Sequence, residues 1–381
     1  MHWRIRRCSP EEVNEYFSKT NSNTRVGLII EDTPTNPAIS LEELKNLAAK
    51  GVRIVIGPAT SADVQEVEDY ADKNGILIIS PSSTARSLAV QGDNVFRFVP
   101  DDTHQAQAVS RHIWQDGVRV VVPIWRTDVY GNDIVSAVKK DFGKLGGIVL
   151  DGIGYIPSTG DFSTSLNRIN FIVWDQDLRS LSSKVTQAVA HYGADKVGVY
   201  LVAFDEVVPI FIEAQNQPVL SMVKWYGSGT SALNNKLVRN IEAAMFAAKT
   251  GFVNPIYSVD NNNNSYKFKL VDYQIQEMIG RVPRSYAEVA YDAFWVAAIT
   301  ENVTAGTKDI NSLKKTFLQI ANSYTGITGN TSLDEAGYRK YGDYDFWAVK
   351  ANSGNNNDRN AFEWKQVGRF KSNANITYGL K

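Results

Sequence analysis

The residues best suited to chemistry are hydroxyl-bearing side chains in two short loops. The apolar run Arg53–Ile56 leads into residues 57–62, GPATSA, and the run Ile76–Ile79 leads into residues 80–85, SPSSTA. Serine and threonine hydroxyls, together with free amides where a helix begins, can bind a carboxylate or another small anion. The alternative is that these hydroxyls only cap the helices that follow.

The segment between the two loops predicts how they are positioned. Val64, Val67, Tyr70 and Ala71 are spaced as on one face of a helix. Short β-branched runs that alternate with helices indicate a parallel sheet. Both loops would then leave the carboxyl ends of neighbouring strands, which is where open α/β sheets bind ligands.

The two loops together resemble those of type I periplasmic binding proteins, in the leucine/isoleucine/valine-binding branch of ABC-transporter solute receptors. In that family a VIG loop with a following serine, and an ISP loop with a nearby threonine, hold the α-carboxylate and ammonium of the ligand. The resemblance implies ligand contacts from Ser61, from the backbone at Ser82 with its neighbour Ser83, and from Thr84.

The resemblance continues through most of the chain. Residues 119–125 read as a strand followed by DVYG, residues 196–204 read KVGVYLVAF, and residues 224–230 read KWYGSGT. In the family, the corresponding loops of the second lobe supply an aromatic wall and polar contacts. The resemblance therefore adds four ligand-binding residues, Tyr130, Phe204, Asp205 and Ser228.

The chain is too long, at 381 residues, for one ordinary core. The expected fold is α/β and two-lobed, of the type I periplasmic-binding-protein kind. Each lobe is a mainly parallel sheet flanked by helices, and the ligand cleft lies between the lobes. We expect crossings near Gly117, Phe252 and Thr328. The first lobe would comprise residues 1–117 and 253–328, and the second residues 118–252 and 329–381.

The N-terminal region departs from the family pattern. Residues 12–16 resemble the end of the first helix, and Arg25–Ile30 reads as the second strand, so the resemblance implies that the usual first strand is missing. A gap or an exposed sheet edge is then expected between the strands at Arg25 and Arg53, because parallel sheets of this type usually place their first strand there. Exposed edges favour pairing with other chains.

Residues 166–179, LNRINFIVWDQDLR, form a second departure, an insertion before a helix predicted from Ser182 to Tyr192. Phe171–Trp174 is compatible with a short strand. The insertion is either a surface elaboration or a contact for a partner or second protomer.

The third departure concerns the positive end of a ligand. Residues 227–230, GSGT, carry no carboxylate where the branched-chain receptors have one, so Asp205 is the nearest candidate partner for an ammonium. A buried ammonium needs an anion or strong acceptors. If Asp205 points away, the ligand is neutral at that end, for example an amide.

Other function classes find little support. The formal net charge of −1 provides no electrostatic footprint for nucleic acid. No apolar run approaches membrane-spanning length. Cys8 is the only cysteine, which excludes a cysteine-rich zinc site, and the four histidines lack companions at metal-ligand spacing. Nucleophile-elbow, Walker A and dinucleotide motifs are missing. We therefore expect no enzyme activity, no metal and no cofactor.

The resulting hypothesis is an extracytoplasmic receptor, in the periplasm or at the cell surface. It would capture an amino acid or amide by hinge closure and present it to the membrane permease of an ABC transporter. A sensory ligand-binding domain of the same fold is the alternative, and a cytosolic α/β enzyme is a weaker one.

Overall fold

The computed structural model describes residues 10–20, 22–157, 167–259, 266–352, 361–372 and 376–379. The helices are α1 (Pro10–Lys19), α2 (Pro37–Ala49), α3 (Ser61–Asn74), α4 (Asp102–Gln115), α5 (Val129–Lys144), α6 (Asn167–Tyr192), α7 (Val207–Ala214), α8 (Asn235–Arg239), α9 (Ile241–Thr250), α10 (Tyr266–Ile279), α11 (Tyr286–Thr304) and α12 (Ile310–Ser323). The strands are β1 (Ile54–Ile56), β2 (Leu77–Ser80), β3 (Val95–Arg97), β4 (Val120–Arg126), β5 (Ile148–Val149), β6 (Ile153–Tyr155), β7 (Val197–Val202), β8 (Lys224–Gly227), β9 (Val253–Ser258), β10 (Thr325–Gly326), β11 (Gly329–Asn330), β12 (Asp343–Ala351), β13 (Phe362–Lys371) and β14 (Ile376–Gly379).

The chain divides into two compact units. The first contains Met1–Asp101 and Val259–Gly342, and the second contains Asp102–Ser258 and Asp343–Lys381. The expected lobes instead placed α4 in the first lobe. The helix belongs to the second unit because it packs against α5 and because Gln105 Oε1 accepts a hydrogen bond from the Gly229 amide at 2.6 Å.

The first unit has a parallel sheet in the order β1-β2-β3. Ile54 lies opposite Leu77, and Ile78 lies opposite Val95. Helix α3 connects the first two strands. It begins at the N-cap Thr60, whose hydroxyl accepts from the Asp63 amide, and it ends at Gly75 in the left-handed region that glycine adopts readily. The two hydroxyl-rich loops therefore lie at the carboxyl edge of adjacent strands, as expected.

The strand predicted for residues 25–30 is wrong. In the described part of the chain this segment forms no strand, and β1 pairs only with β2. Leu28, Ile29 and Ile30 are 45–57% exposed, although their residue types suit a buried strand. A strand forms only beside a hydrogen-bonding neighbour, and the described residues supply none here.

The second unit has a nine-stranded sheet in the order β14-β13-β12-β9-β8-β7-β4-β5, with β6 also paired to β4. Across the sheet from β9 through β8, β7 and β4 to β5, neighbouring strands are parallel. Strands β12, β13 and β14 are antiparallel to their neighbours. Helices cover this sheet around a core that includes Phe211, Trp225 and Phe252, all fully buried.

The insertion also differs from its prediction, because the backbone of Phe171–Trp174 belongs to α6, a helix of 26 residues, and not to a strand. Leu178, Leu181 and Val185 on α6 are buried in the core of the second unit. Their spacing of three and four residues fits one helical face. Because α6 begins at Asn167, it includes residues 167–179 of the insertion. Leu166 lies outside the described residues.

Among the helices of the described ranges, none combines the length and the apolar character needed to cross a bilayer.

Candidate functional site

Ser61 connects the two hydroxyl-rich loops of the first unit. Its hydroxyl oxygen accepts from the amides of Thr84 and Ala85, each at 3.2 Å, and lies 3.0 Å from the Ser83 hydroxyl. Ser61 and Ser83 are 3% and 0% exposed. Both side chains are therefore committed to holding one loop against the other.

Two further serines bind the loops together. Ser82 Oγ donates to the Ala59 carbonyl at 2.7 Å. Ser80 Oγ donates to the Pro58 carbonyl at 2.7 Å and accepts from the Ser83 amide at 3.0 Å. These serine hydroxyls thus bond across the two loops, whereas the helix capping considered from the sequence is made by Thr60 at the start of α3.

Thr84 differs from these serines. It is 6% exposed, and its hydroxyl makes no hydrogen bond to any residue that the structure describes. The residue is largely buried, but its hydroxyl oxygen is not, so the hydroxyl can bond water or a ligand. Of the predicted residues in the first unit, Thr84 is the one best placed to bind a ligand.

A buried arginine, Arg97, binds the backbone just after the second loop. It was not identified from the sequence. Arg97, fully buried at the end of β3, donates from Nη2 to the Leu88 carbonyl at 2.8 Å. Its guanidinium lies 4.7 Å from the ring centroid of Tyr338, whose hydroxyl donates to the Ala85 carbonyl at 2.5 Å. The available signal was a lone arginine inside the apolar run VFRFV.

The second unit presents a corresponding set of loops. Strands β4, β7 and β8 are parallel neighbours, so the loops after them lie side by side. We call residues 126–131, 203–206 and 228–231 the second-unit edge. All four residues predicted for the second lobe lie in it.

Phe204 and Tyr130 form an aromatic pair at this edge. Their ring centroids are 6.2 Å apart with an interplanar angle of 27°. The Arg126 guanidinium lies 3.7 Å from the Phe204 ring centroid. Tyr130 is 5% exposed and Phe204 is half-buried, so Phe204 offers the more accessible ring.

Arg126 organises a buried ion cluster that sequence reasoning also missed. Its Nη1 donates to Glu206 at 3.0 Å, and its Nε donates to Asp128 at 2.5 Å. Burial raises the pKa of Glu206, and the charge of Arg126 opposes that shift. The cluster packs beneath Phe204 and holds the loops after β4 and β7 together.

Asp205 forms an ion pair at the surface of the second unit. Its Oδ2 lies 2.8 Å from Lys236 Nζ, and its Oδ1 accepts from Asn234 Nδ2 at 2.9 Å. The Asp205 side chain is 41% exposed. The carboxylate expected to meet a ligand ammonium is therefore already paired within its own unit.

Ser228 is fully buried in the turn after β8. Its hydroxyl lies 2.8 Å from the Thr230 hydroxyl, which donates to the Ala203 carbonyl at 2.8 Å. These bonds connect the loops after β7 and β8. Ser228 thus has a structural contact in this turn, whereas Thr230 is only half-buried.

The described residues contain no group of three or more histidine, cysteine, aspartate or glutamate side chains arranged to hold a metal ion.

Comparison with known families gives a match over residues 11–352 to the "Receptor family ligand binding region". The chain is 28% identical over 380 residues to the uncharacterized protein MJ1266 of Methanocaldococcus jannaschii, covering 95% of this chain and 83% of that protein. It is 29% identical over 150 residues to the Leu/Ile/Val-binding protein BraC3 of Rhizobium johnstonii, covering 38% of this chain and 40% of BraC3.

Solved structures show the same fold at low sequence identity. The leucine binding protein LivK of Thermotoga maritima aligns with a TM-score of 0.71 at 16% identity, over 96% of this chain and 93% of LivK. A solute binding protein of an ABC transporter from Rhodopseudomonas palustris, in complex with 3,4-dihydroxybenzoic acid, aligns with a TM-score of 0.68 at 14% identity, over 95% of this chain and 92% of that protein. The family match over most of its length shows that the chain belongs to the receptor ligand-binding family, and these solved structures show that it has the type I periplasmic-binding-protein fold.

Proposed function

We propose that the protein is an extracytoplasmic receptor that captures a small polar ligand, an amino acid or an amide-like compound, for the membrane permease of an ABC transporter. Its relatives include Leu/Ile/Val-binding proteins, and its structural neighbours are ABC-transporter solute receptors for amino acids and for aromatic acids. The family consists of binding proteins, and accordingly we propose no catalytic step.

One observation carries the proposal. Thr84 lies at the carboxyl edge of parallel strands, and its hydroxyl makes no hydrogen bond to a described residue and is not fully buried. A ligand carboxylate or amide would accept the hydrogen bond that this hydroxyl can donate. Closure of the two units on the ligand by hinge motion is part of the proposal.

The test is a calorimetric screen of the whole chain against amino acids, their amides and small carboxylic acids. A binder of micromolar or tighter affinity is expected, and binding must weaken in Thr84→Ala. A turnover assay on the same compounds separates binding from an enzymatic reaction. Transport by a reconstituted permease that depends on this protein distinguishes delivery from sensing.

A further inference from the structure

We infer that one face of α10, in the first unit, forms a twofold contact with a second copy of this chain. Four residues define this face, which we call the α10 outer face, namely Tyr266, Leu270, Tyr273 and Glu277. Their spacing of four, three and four residues places them on one side of the helix. The contact is a feature of assembly, so it does not depend on the identity of the ligand.

The opposite side of α10 packs into the first unit. Val271 and Ile275 are buried there, and Phe268 and Ile279 pack against the same apolar cluster, which includes Trp295 on α11. This side is sufficient to hold the helix on its unit. A surface helix packed in this way usually directs polar side chains outward.

The α10 outer face does not follow that pattern. Tyr266, Leu270 and Tyr273 are 82%, 41% and 58% exposed, so much of two aromatic rings and a leucine side chain lies in water. Scattered apolar residues on a surface need no explanation, but three on one helical face form a patch of the kind that marks an interaction site. Tyrosine is also among the residues enriched at interfaces.

The spacing of the face favours a second copy as the partner. Tyr266 and Glu277 are equally far along the helix from the midpoint of the pattern, and so are Leu270 and Tyr273. When a second α10 lies antiparallel on the first, Leu270 of each copy faces Tyr273 of the other, and Tyr266 faces Glu277. A twofold interface requires a surface that is complementary to itself in this way.

Charges at the two ends of the face support the antiparallel arrangement. Lys269 on the first turn and Glu277 on the last turn are exposed, and neither has an ion-pair partner in the part of the chain that the structure describes. In the antiparallel pair, Glu277 lies beside the first turn of the other copy, where Lys269 and the Tyr266 hydroxyl can donate to it. The positive end of that helix dipole also favours a carboxylate. A parallel pair would instead place like charges together.

The size of the α10 outer face predicts a weak dimer. An enclosed tyrosine buries about 150–250 Å², so two copies that each contribute two tyrosines and a leucine would enclose roughly 1,000 Å² in total. Interfaces of this size are at the low end for specific contacts between proteins. We therefore expect a dimer that forms at micromolar concentrations and coexists with the monomer.

Sedimentation velocity of the whole chain from about 1 μM to about 500 μM should show this monomer–dimer equilibrium. Tyr273→Glu should weaken the dimer at least about tenfold, because it places a charge near the centre of the contact. Met245→Glu is the matched control, since Met245 is 57% exposed on α9 of the second unit, and it should leave the dimer unchanged. A chain that stays monomeric throughout this range, or a dimer that Tyr273→Glu does not weaken, would overturn the inference.

A charge exchange tests the antiparallel arrangement. Glu277→Lys should weaken the dimer at least about threefold, because the new cation lies beside Lys269 of the other copy. Adding Lys269→Glu to the same chain should return the affinity to within about twofold of the parent, since opposite charges then face each other again. Circular dichroism of both variants checks that the helices are intact. A double variant that dimerises no better than Glu277→Lys would contradict the antiparallel contact.

Discussion

At the scale of single residues, the candidate site separates side chains that build the loops from side chains that remain able to bind. Three serine side chains are buried and make hydrogen bonds within their own units, namely Ser61, Ser83 and Ser228. Thr84 and Phe204 are not committed in this way. The assignment of ligand contacts stays a prediction. Thr84 is now the main candidate among the first-unit residues, in place of the serines.

Thr84→Ala should weaken binding of the identified ligand by about 1–3 kcal/mol, because a hydrogen bond to a ligand carboxylate or amide oxygen is lost. Thr84→Ser, which keeps the hydroxyl, should restore most of the affinity. Calorimetry measures the binding, and chemical denaturation of both variants checks that folding is intact. Equal affinity of Thr84→Ala and the parent would remove Thr84 from the site.

Arg126→Leu should lower the free energy of unfolding of the second unit by about 3–5 kcal/mol, since it leaves two buried carboxylates without their cation. The matched control is Lys73→Met, which removes an exposed pair with Asp69 at 3.2 Å and should change stability by less than about 1 kcal/mol. Urea unfolding followed by tryptophan fluorescence measures both. Similar small losses in the two variants would show that the Arg126 cluster is unimportant for folding.

At the scale of elements, α10 and α11 are connected by a carboxyl pair. Glu288 on α11 is 2% exposed, and burial, a hydrogen bond to Asp272 on α10 and the nearby negative charges raise its pKa. Because the folded-state pKa lies above the unfolded value, the proton is bound more tightly in the folded protein. The stability from this group is present at low pH and is lost as pH rises toward the folded pKa.

The unfolding free energy of the parent should therefore fall between about pH 5 and about pH 8, and Glu288→Gln should remove more than about 1 kcal/mol of that fall. Glutamine keeps a neutral side chain at every pH. Denaturant midpoints across this pH range provide the measurement. Glu301→Gln is the control, because Glu301 is partly exposed and pairs with Arg53 at 2.7 Å. Parallel pH profiles for parent and Glu288→Gln would contradict the prediction.

The unpaired segment at residues 25–30 makes a second prediction at this scale. Ile29→Lys should change stability by less than about 0.5 kcal/mol because Ile29 is 46% exposed, whereas Ile79→Lys buries a charge at a fully buried position of β2 and should cost more than about 4 kcal/mol. Thermal unfolding compares the two. A large loss in Ile29→Lys would show that another strand covers this segment in solution, as the sheet gap expected from the sequence allows.

At the scale of the whole molecule, the proposed capture mechanism predicts compaction. The radius of gyration from small-angle scattering should decrease when the identified ligand is added at saturation, since ligand contacts on both units favour a closed form. Thr84→Ala at the same ligand concentration should show a smaller change wherever binding is incomplete. An unchanged radius of gyration in the saturated parent would contradict hinge closure.

The sequence by itself determined the fold class and the order of elements around the first-unit loops, because these depend on local periodicity and turn chemistry. The strand, loop, helix and strand from Ile54 to Ser80 agree with the prediction, and the type I periplasmic-binding-protein fold is confirmed. Local patterns could not decide whether residues 25–30 and 171–174 form strands, since a strand requires a hydrogen-bonding neighbour and an apolar run fits a buried helix equally well.

Only the tertiary structure decided which polar side chains are already paired. Arg126 meets Glu206 across 80 positions of chain, and Asp205 meets Lys236 across the loop after β8. Arg97 binds the Leu88 carbonyl just after the second hydroxyl-rich loop. Such pairs depend on which strands become neighbours in the sheet, and the spacing of residues along the sequence carries no record of that choice.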